Sequence, residues 1–169
     1  MKNIRTLLAI FGLMLGFSLS VSAQGTVLTS LDNERIDVQG QKDKVVILAV
    51  GATWLPLTRE QVNITNKLAK KYAGKGVAIY FVVTDSTNPK SKNFASDADI
   101  RAFTTKNKLN AEVLRDSDGL VTLRKFGIDQ LPSFVVLDKT GRKSGEVFSG
   151  LDPENDLSIP ISKLIDRLL

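Results

Sequence analysis

Few residues in this chain have the types and spacing that chemistry needs, and they fall in two stretches. The first is Asp116-Ser117-Asp118-Gly119, whose alternating carboxylates look like the opening of a calcium loop. Such a loop needs a third acidic or Asn position, then its glycine, then a glutamate. None of these follows, and Asp-Gly is a strong turn signal, so a turn into a short helix is expected instead. The second stretch is Thr58, with Arg59 and Glu60 beside it. A threonine hydroxyl acts as a nucleophile only with a base against it; without histidine that base would be Lys, Asp or Glu. No motif surrounds Thr58, and threonine suits helix starts. N-capping or first-turn hydrogen bonding is therefore its expected role, and no catalytic residue is assigned.

What is missing narrows the function further. The chain has no Cys and no His, and its two methionines, Met1 and Met14, both lie near the N-terminus. Disulfide exchange, peroxidatic cysteine chemistry, haem attachment, soft-metal sites and histidine acid–base catalysis are excluded as intrinsic activities. No metal and no cofactor are expected. Lys2 and Arg5 precede an apolar segment, Leu7 to Leu19, and small residues ending Val21-Ser22-Ala23. That order is a basic region, an apolar region and an A-x-A-like cleavage site, so residues 1–23 read as an export signal and 24–169 as one domain. The expected location is the periplasm or outside the cell, with no membrane span after cleavage. The formal net charge of +5 shrinks once Lys2 and Arg5 are removed, and what remains is scattered. It gives no reason to invoke nucleic acid or an anionic membrane.

The elements that would position a site are legible from periodicity. Val45 to Val50 is wholly apolar and rich in β-branched residues, the pattern of a strand buried on both faces. Gly51 and Ala52 end it, Thr53-Trp54-Leu55-Pro56 forms a tight corner, and a helix runs from Leu57 to Tyr72 with Pro56 tolerated in its first turn. Leu57, Ile64, Leu68 and Tyr72, flanked by Val62 and Ala69, face inward. Thr58, Arg59, Asn63, Lys67, Lys70 and Lys71 are left for solvent, and Gly74 and Gly76 stop the helix. Val77 to Val83 is a second apolar strand, so the β–α–β unit implies parallel pairing. Strand, corner and helix start is where open α/β sheets place their sites.

Elsewhere, Thr26 to Val38 alternates around Asp32-Asn33 as a small hairpin. Thr84 to Asn93 reads as a surface loop. Ser96-Asp97-Ala98-Asp99 is a capping box opening a helix to about Lys108. A short strand at Glu112 to Leu114, a short helix from Leu120 to Phe126 and a strand from Phe134 to Leu137 follow. Asp138 to Gly141 then turns the chain into an antiparallel edge strand, Lys143 to Ser149. The last helix spans Ser158 to Leu169, with Pro160 in its first turn and Ile161, Leu164, Ile165 and Leu168 facing in.

Two of these stretches together resemble the thioredoxin-like superfamily, in particular the exported TlpA-like thiol–disulfide proteins of the redoxin (AhpC/TSA) family. Their apolar strand is followed by A-T-W-C-P-P-C and a helix; Ala52-Thr53-Trp54 and Pro56 match. Leu55 and Thr58 stand where the cysteines belong, and Leu57 replaces the second proline. Phe126-Gly127-Ile128-Asp129-Gln130-Leu131-Pro132-Ser133 resembles the segment whose proline is cis and faces that corner, so Leu131-Pro132 is expected to be cis. Ala49 occupies the position of the buried carboxylate that assists thiol proton transfer in thioredoxins. The resemblance covers residues 26–169 and implies an α/β thioredoxin-like fold: a mixed central sheet flanked by helices, with an N-terminal hairpin and a strand–helix insertion. The family reaction needs a thiolate activated at a helix N-terminus, which neither Leu55 nor Thr58 can supply.

The functional expectation is a cysteine-free, redox-inactive thioredoxin-fold protein that binds a peptide or protein partner in the cell envelope. The candidate surface is Trp54, Leu55, Pro56, Leu57, Thr58, Leu131 and Pro132. These residues either form an apolar patch of the kind that binds partners, or Leu55 and Leu57 fold inward over the vacated cysteine positions. Two other functions fit the resemblance: a thiol–disulfide or antioxidant role through a partner's thiols or a cofactor, and a structural role in an envelope complex.

Overall fold

The strand expected to lie at the centre does so, for a physical reason visible along its length. Val45–Gly51 (β3) is buried at every position, because alternate side chains enter two separate apolar layers, one on each face of the sheet. Val45, Ile47 and Ala49 join one layer, and Val46, Leu48 and Val50 the other. The structure, a computed structural model, describes residues 25–169; the export-signal reading of residues 1–23 lies outside them.

Around β3 the chain builds a six-stranded mixed sheet. In chain order its other elements are β1 (Val27–Ser30), β2 (Arg35–Asp37), α1 (Thr58–Tyr72), β4 (Val77–Val83), α2 (Asp97–Asn107), β5 (Glu112–Arg115), α3 (Thr122–Phe126), β6 (Ser133–Leu137) and α4 (Ser158–Leu168). The strand order is β2-β1-β5-β4-β3-β6. β3, β4 and β5 are mutually parallel, while β6 and the β1–β2 hairpin run antiparallel to their neighbours. Helices α1, α2 and α4 supply Leu68, Ile100, Ile161 and Ile165 to one layer; α3 supplies Phe126 to the other. This is the thioredoxin-like arrangement expected from the sequence, with the N-terminal hairpin and the strand–helix insertion α2–β5 in place.

Local signals explain the boundaries. The capping box at the start of α2 is formed: Ser96 Oγ accepts from the Asp99 amide, and Asp99 returns a carboxylate to the Ser96 amide. Gly127, with φ of 66°, closes α3 in the left-handed region open to glycine. The Asp116 to Gly119 stretch is a 3-10 turn, as its Asp-Gly signal suggests. The Asp116 carboxylate accepts from the amides of Val121 and Thr122 and from the Thr122 hydroxyl, so its oxygens serve as a cap for α3.

Two expectations are corrected. Lys143 to Ser149 is not a strand: it touches β6 only through isolated bridges, Leu137 to Lys143 and Phe134 to Phe148. Gly145 between them has φ of 71°, and a left-handed residue cannot continue an extended ladder. The segment 84–93 is not wholly surface, since Thr84, Asp85 and Ser86 are buried.

Helix α4 is clamped to α1 by polar contacts at their rims. Lys67 meets Asp156 at 2.9 Å, and Asp166 receives both Lys71 and the Tyr72 hydroxyl. Hydrogen bonding from Ser158, and next from Lys67, holds the Asp156 carboxyl down to about 2. A carboxyl depressed on folding stabilises the fold above its ordinary value of 3.8 and ceases to do so as pH falls through about 2. Both side chains are well exposed, so the Lys67–Asp156 pair contributes at most about 1 kcal/mol. Asp156→Asn is accordingly expected to lower the melting temperature slightly at neutral pH, and melts in acid should show the two chains converging below pH 3.8. A difference that persists unchanged below pH 2 would contradict this assignment.

Candidate functional site

Where β3 ends, the carbonyls of Val50, Gly51 and Ala52 each accept from a side chain of another element. Val50 O accepts from Gln61 Nε2 at 2.9 Å. Gly51 O accepts from both the amide (2.8 Å) and the hydroxyl (3.1 Å) of Thr84. Ala52 O accepts from Thr58 Oγ1 at 2.6 Å. The corner that follows, residues 52–57, closes with Leu55 N on Ala52 O and Thr58 N on Leu55 O. Its far side is held by Asp85, which accepts from Thr53 N at 2.8 Å and Thr53 Oγ1 at 2.5 Å.

Thr58 thus does the first-turn hydrogen bonding expected of it, but it is 1% exposed and its assignment to the solvent face is corrected. Its hydroxyl points back at the chain and has no base beside it among its hydrogen-bond partners. The helix also starts one residue later than expected. Thr58 is its first residue, Leu57 occupies the cap position without a side-chain acceptor, and Pro56 lies in the turn ahead of the helix rather than in its first turn.

Gln61 was not singled out by the sequence. It is fully buried, and its amide nitrogen donates to both Val50 O and Ser133 O, joining α1, β3 and β6. Ser133 pairs with Val50 in the β3–β6 register, which brings the Leu131-Pro132 segment alongside the corner. The Leu131-Pro132 peptide bond is cis. Ser133 Oγ donates to Gln130 O, closing the turn around it. Asp85 was missed too, because in sequence it sits in what reads as a polar loop.

The candidate surface residues do not lie together at one depth. Trp54 is 55% exposed and Pro56 is exposed, whereas Leu55 is half-buried. Leu57 is half-buried against the layer containing α1, and Leu131 is half-buried against the opposite layer. Pro132 and Thr58 are buried. Both arrangements considered from sequence are therefore partly realised: Leu57 folds inward, while Trp54 and Pro56 stay at the surface. Ala49, at the position of the thioredoxin acid, is fully buried between Phe81 and Phe134 in register. The corner can present backbone and apolar surface, but it holds no group able to exchange electrons or carry a thiol.

Comparison with known proteins agrees with this geometry. A family model described as Redoxin matches residues 18–156. The thioredoxin-like protein YneN of Bacillus subtilis (strain 168) is 28% identical over 114 residues, covering 68% of this chain and 62% of that one, less than two thirds of the relative's length. Among solved structures, the pneumococcal exposed lipoprotein thioredoxin Etrx1 of Streptococcus pneumoniae aligns with a TM-score of 0.67 at 23% identity, over 86% of this chain and all of that one. A secreted disulfide oxidoreductase of Mycobacterium tuberculosis aligns with a TM-score of 0.62 at 18% identity, over 84% and 95% of the two chains. At these identities the structures establish the fold.

The Gln61 contact yields a direct test. A methyl group added at Gly51 would collide with Gln61 Oε1, which is buried and accepts no hydrogen bond. Gly51→Ala is expected to cost more than about 1 kcal/mol. Gln61→Ala should cost about 1–3 kcal/mol by removing the buried amide that donates to both Val50 O and Ser133 O. In denaturant titrations the double variant should lose clearly less than the sum of the two; strict additivity would remove Gln61 from its place under the corner.

Proposed function

We propose, from the premise that this chain belongs to the redoxin family and contains no cysteine, that it is a redox-inactive binding protein. Its partner, a peptide or protein segment, docks at the corner formed by residues 53–57 and the adjoining Leu131-Pro132 turn. The observation that carries this reading is the retention of the corner without its reagent. Side chains that have no part in thiol chemistry (Gln61, Thr58, Thr84 and Asp85) satisfy its backbone and hold Trp54 largely in solvent. An exposed tryptophan on a rigid, well-bonded turn has the character of an interface anchor: large contact area at low ordering cost. An extended segment could pair with backbone beside the turn, a recognition mode that needs no thiol.

The compartment proposed is outside the cytoplasm. Supporting this are the signal-like residues 1–23 and the fact that two structural relatives are described as a secreted protein and an exposed lipoprotein. No helix among the described residues is long and apolar enough to cross a membrane.

Two measurements test the reading. Purified protein should show no insulin-reducing or peroxide-consuming turnover; clear turnover would overturn redox inactivity. Capture from envelope extract should retain a partner on the native chain and lose it on a Trp54→Ser, Leu55→Ser variant whose melting curve is unchanged. Leu131 is the poorer site for this purpose, because its packing against the core couples binding to folding. Equal capture by both chains would move the function to another surface.

A further inference from the structure

A groove runs from the corner to the C-terminal half of α2, and its composition is one-sided. Leu55, Pro56 and Phe103 supply its apolar lining, Arg59 and Lys106 its charged lining, and Thr53, Thr58 and Asn107 complete it. Phe103 reaches inward to Phe81, with ring centroids 6.4 Å apart. Arg59 and Lys106 are exposed, and among the described residues neither has an ion-pair or side-chain hydrogen-bond partner. No acidic side chain lines the groove. Of the acids near its lining, Glu60 accepts from Asn63, Asp99 accepts from the Ser96 amide and hydroxyl, and the buried Asp85 carboxylate accepts from Thr53 behind the corner.

From this charge pattern we infer that the segment bound at the corner is acidic: an extended peptide whose apolar side chains lie against Leu55, Pro56 and Phe103 while its carboxylates meet Arg59 and Lys106. The inference rests on the peptide-binding reading above and adds the chemistry of the partner. The apolar lining supplies contact area, and the unneutralised cations select carboxylates and repel basic segments. Arg59 offers a planar donor set suited to a carboxylate, and Lys106 a point charge.

The test uses the full chain and three short labelled peptides of one length, followed by fluorescence anisotropy. One alternates glutamate with leucine and phenylalanine; the others replace each glutamate with glutamine or lysine. The glutamate peptide should bind at least about tenfold more tightly than the glutamine peptide, and its affinity should fall as salt is raised. The lysine peptide should be weakest. Arg59→Glu, Lys106→Glu should remove the preference while leaving the melting curve intact, both residues being at the surface. Equal binding of the glutamate and glutamine peptides, lost in Trp54→Ser, Leu55→Ser, would overturn the acidic preference and leave the peptide-binding reading standing. A preference that survives the double charge reversal would overturn the role given to Arg59 and Lys106. Absence of binding by all three peptides would overturn the inference, and the capture comparison decides the broader reading separately.

Discussion

Side chains from other elements bond the carbonyls at the end of the central strand, and those contacts organise the site. β3 ends at Val50 and Gly51, Ala52 follows, and their oxygens accept from Gln61 of α1, from Thr84 just past β4 and from Thr58 in the first turn of α1. A buried carbonyl left without a donor would cost about 1–3 kcal/mol, a large fraction of the stability of a typical domain. The three contacts tie the start of α1, the end of the central strand and the corner to one another.

This has a functional consequence. Of the two positions where the family carries its cysteines, one holds the corner with a hydroxyl and the other with its backbone alone. Leu55 contributes only its backbone, and Thr58 uses its hydroxyl to anchor Ala52. A redoxin scaffold can lose its thiols and keep the loop geometry, because the geometry is held by the sheet end and its donors. What remains at the surface is Trp54 and a groove lined by Leu55, Pro56, Phe103, Arg59 and Lys106, the surface on which the proposed recognition rests.

The frame was legible in the sequence where local rules decide it. The apolar runs of β3 and β4 read as buried strands, since no other element so short tolerates seven apolar residues in succession. The capping box at Ser96 and the glycine ending α3 read directly because each acts within a few residues. What could not be read were the groups that act across the fold. Gln61 and Asp85 are polar residues in a helix and a loop, and only tertiary packing shows that both are buried and bonded to the corner. The Lys143 to Ser149 segment failed in the opposite direction: the hairpin turn at Asp138 to Gly141 suggested an edge strand, and the left-handed Gly145 broke it. Thr58 was assigned to solvent by helical spacing, which takes no account of a hydroxyl needed by the strand before it.

The central claim, that the thiol-free corner is itself the binding surface, can be tested through the only tryptophan in the chain. Trp54 is 55% exposed, so its emission reports directly on what covers it. Adding the captured partner, or the acidic peptide if that binds, should shift the emission to shorter wavelength and protect the indole from acrylamide quenching. Binding established independently, with emission and quenching unchanged, would contradict the account and place the functional surface elsewhere on the molecule.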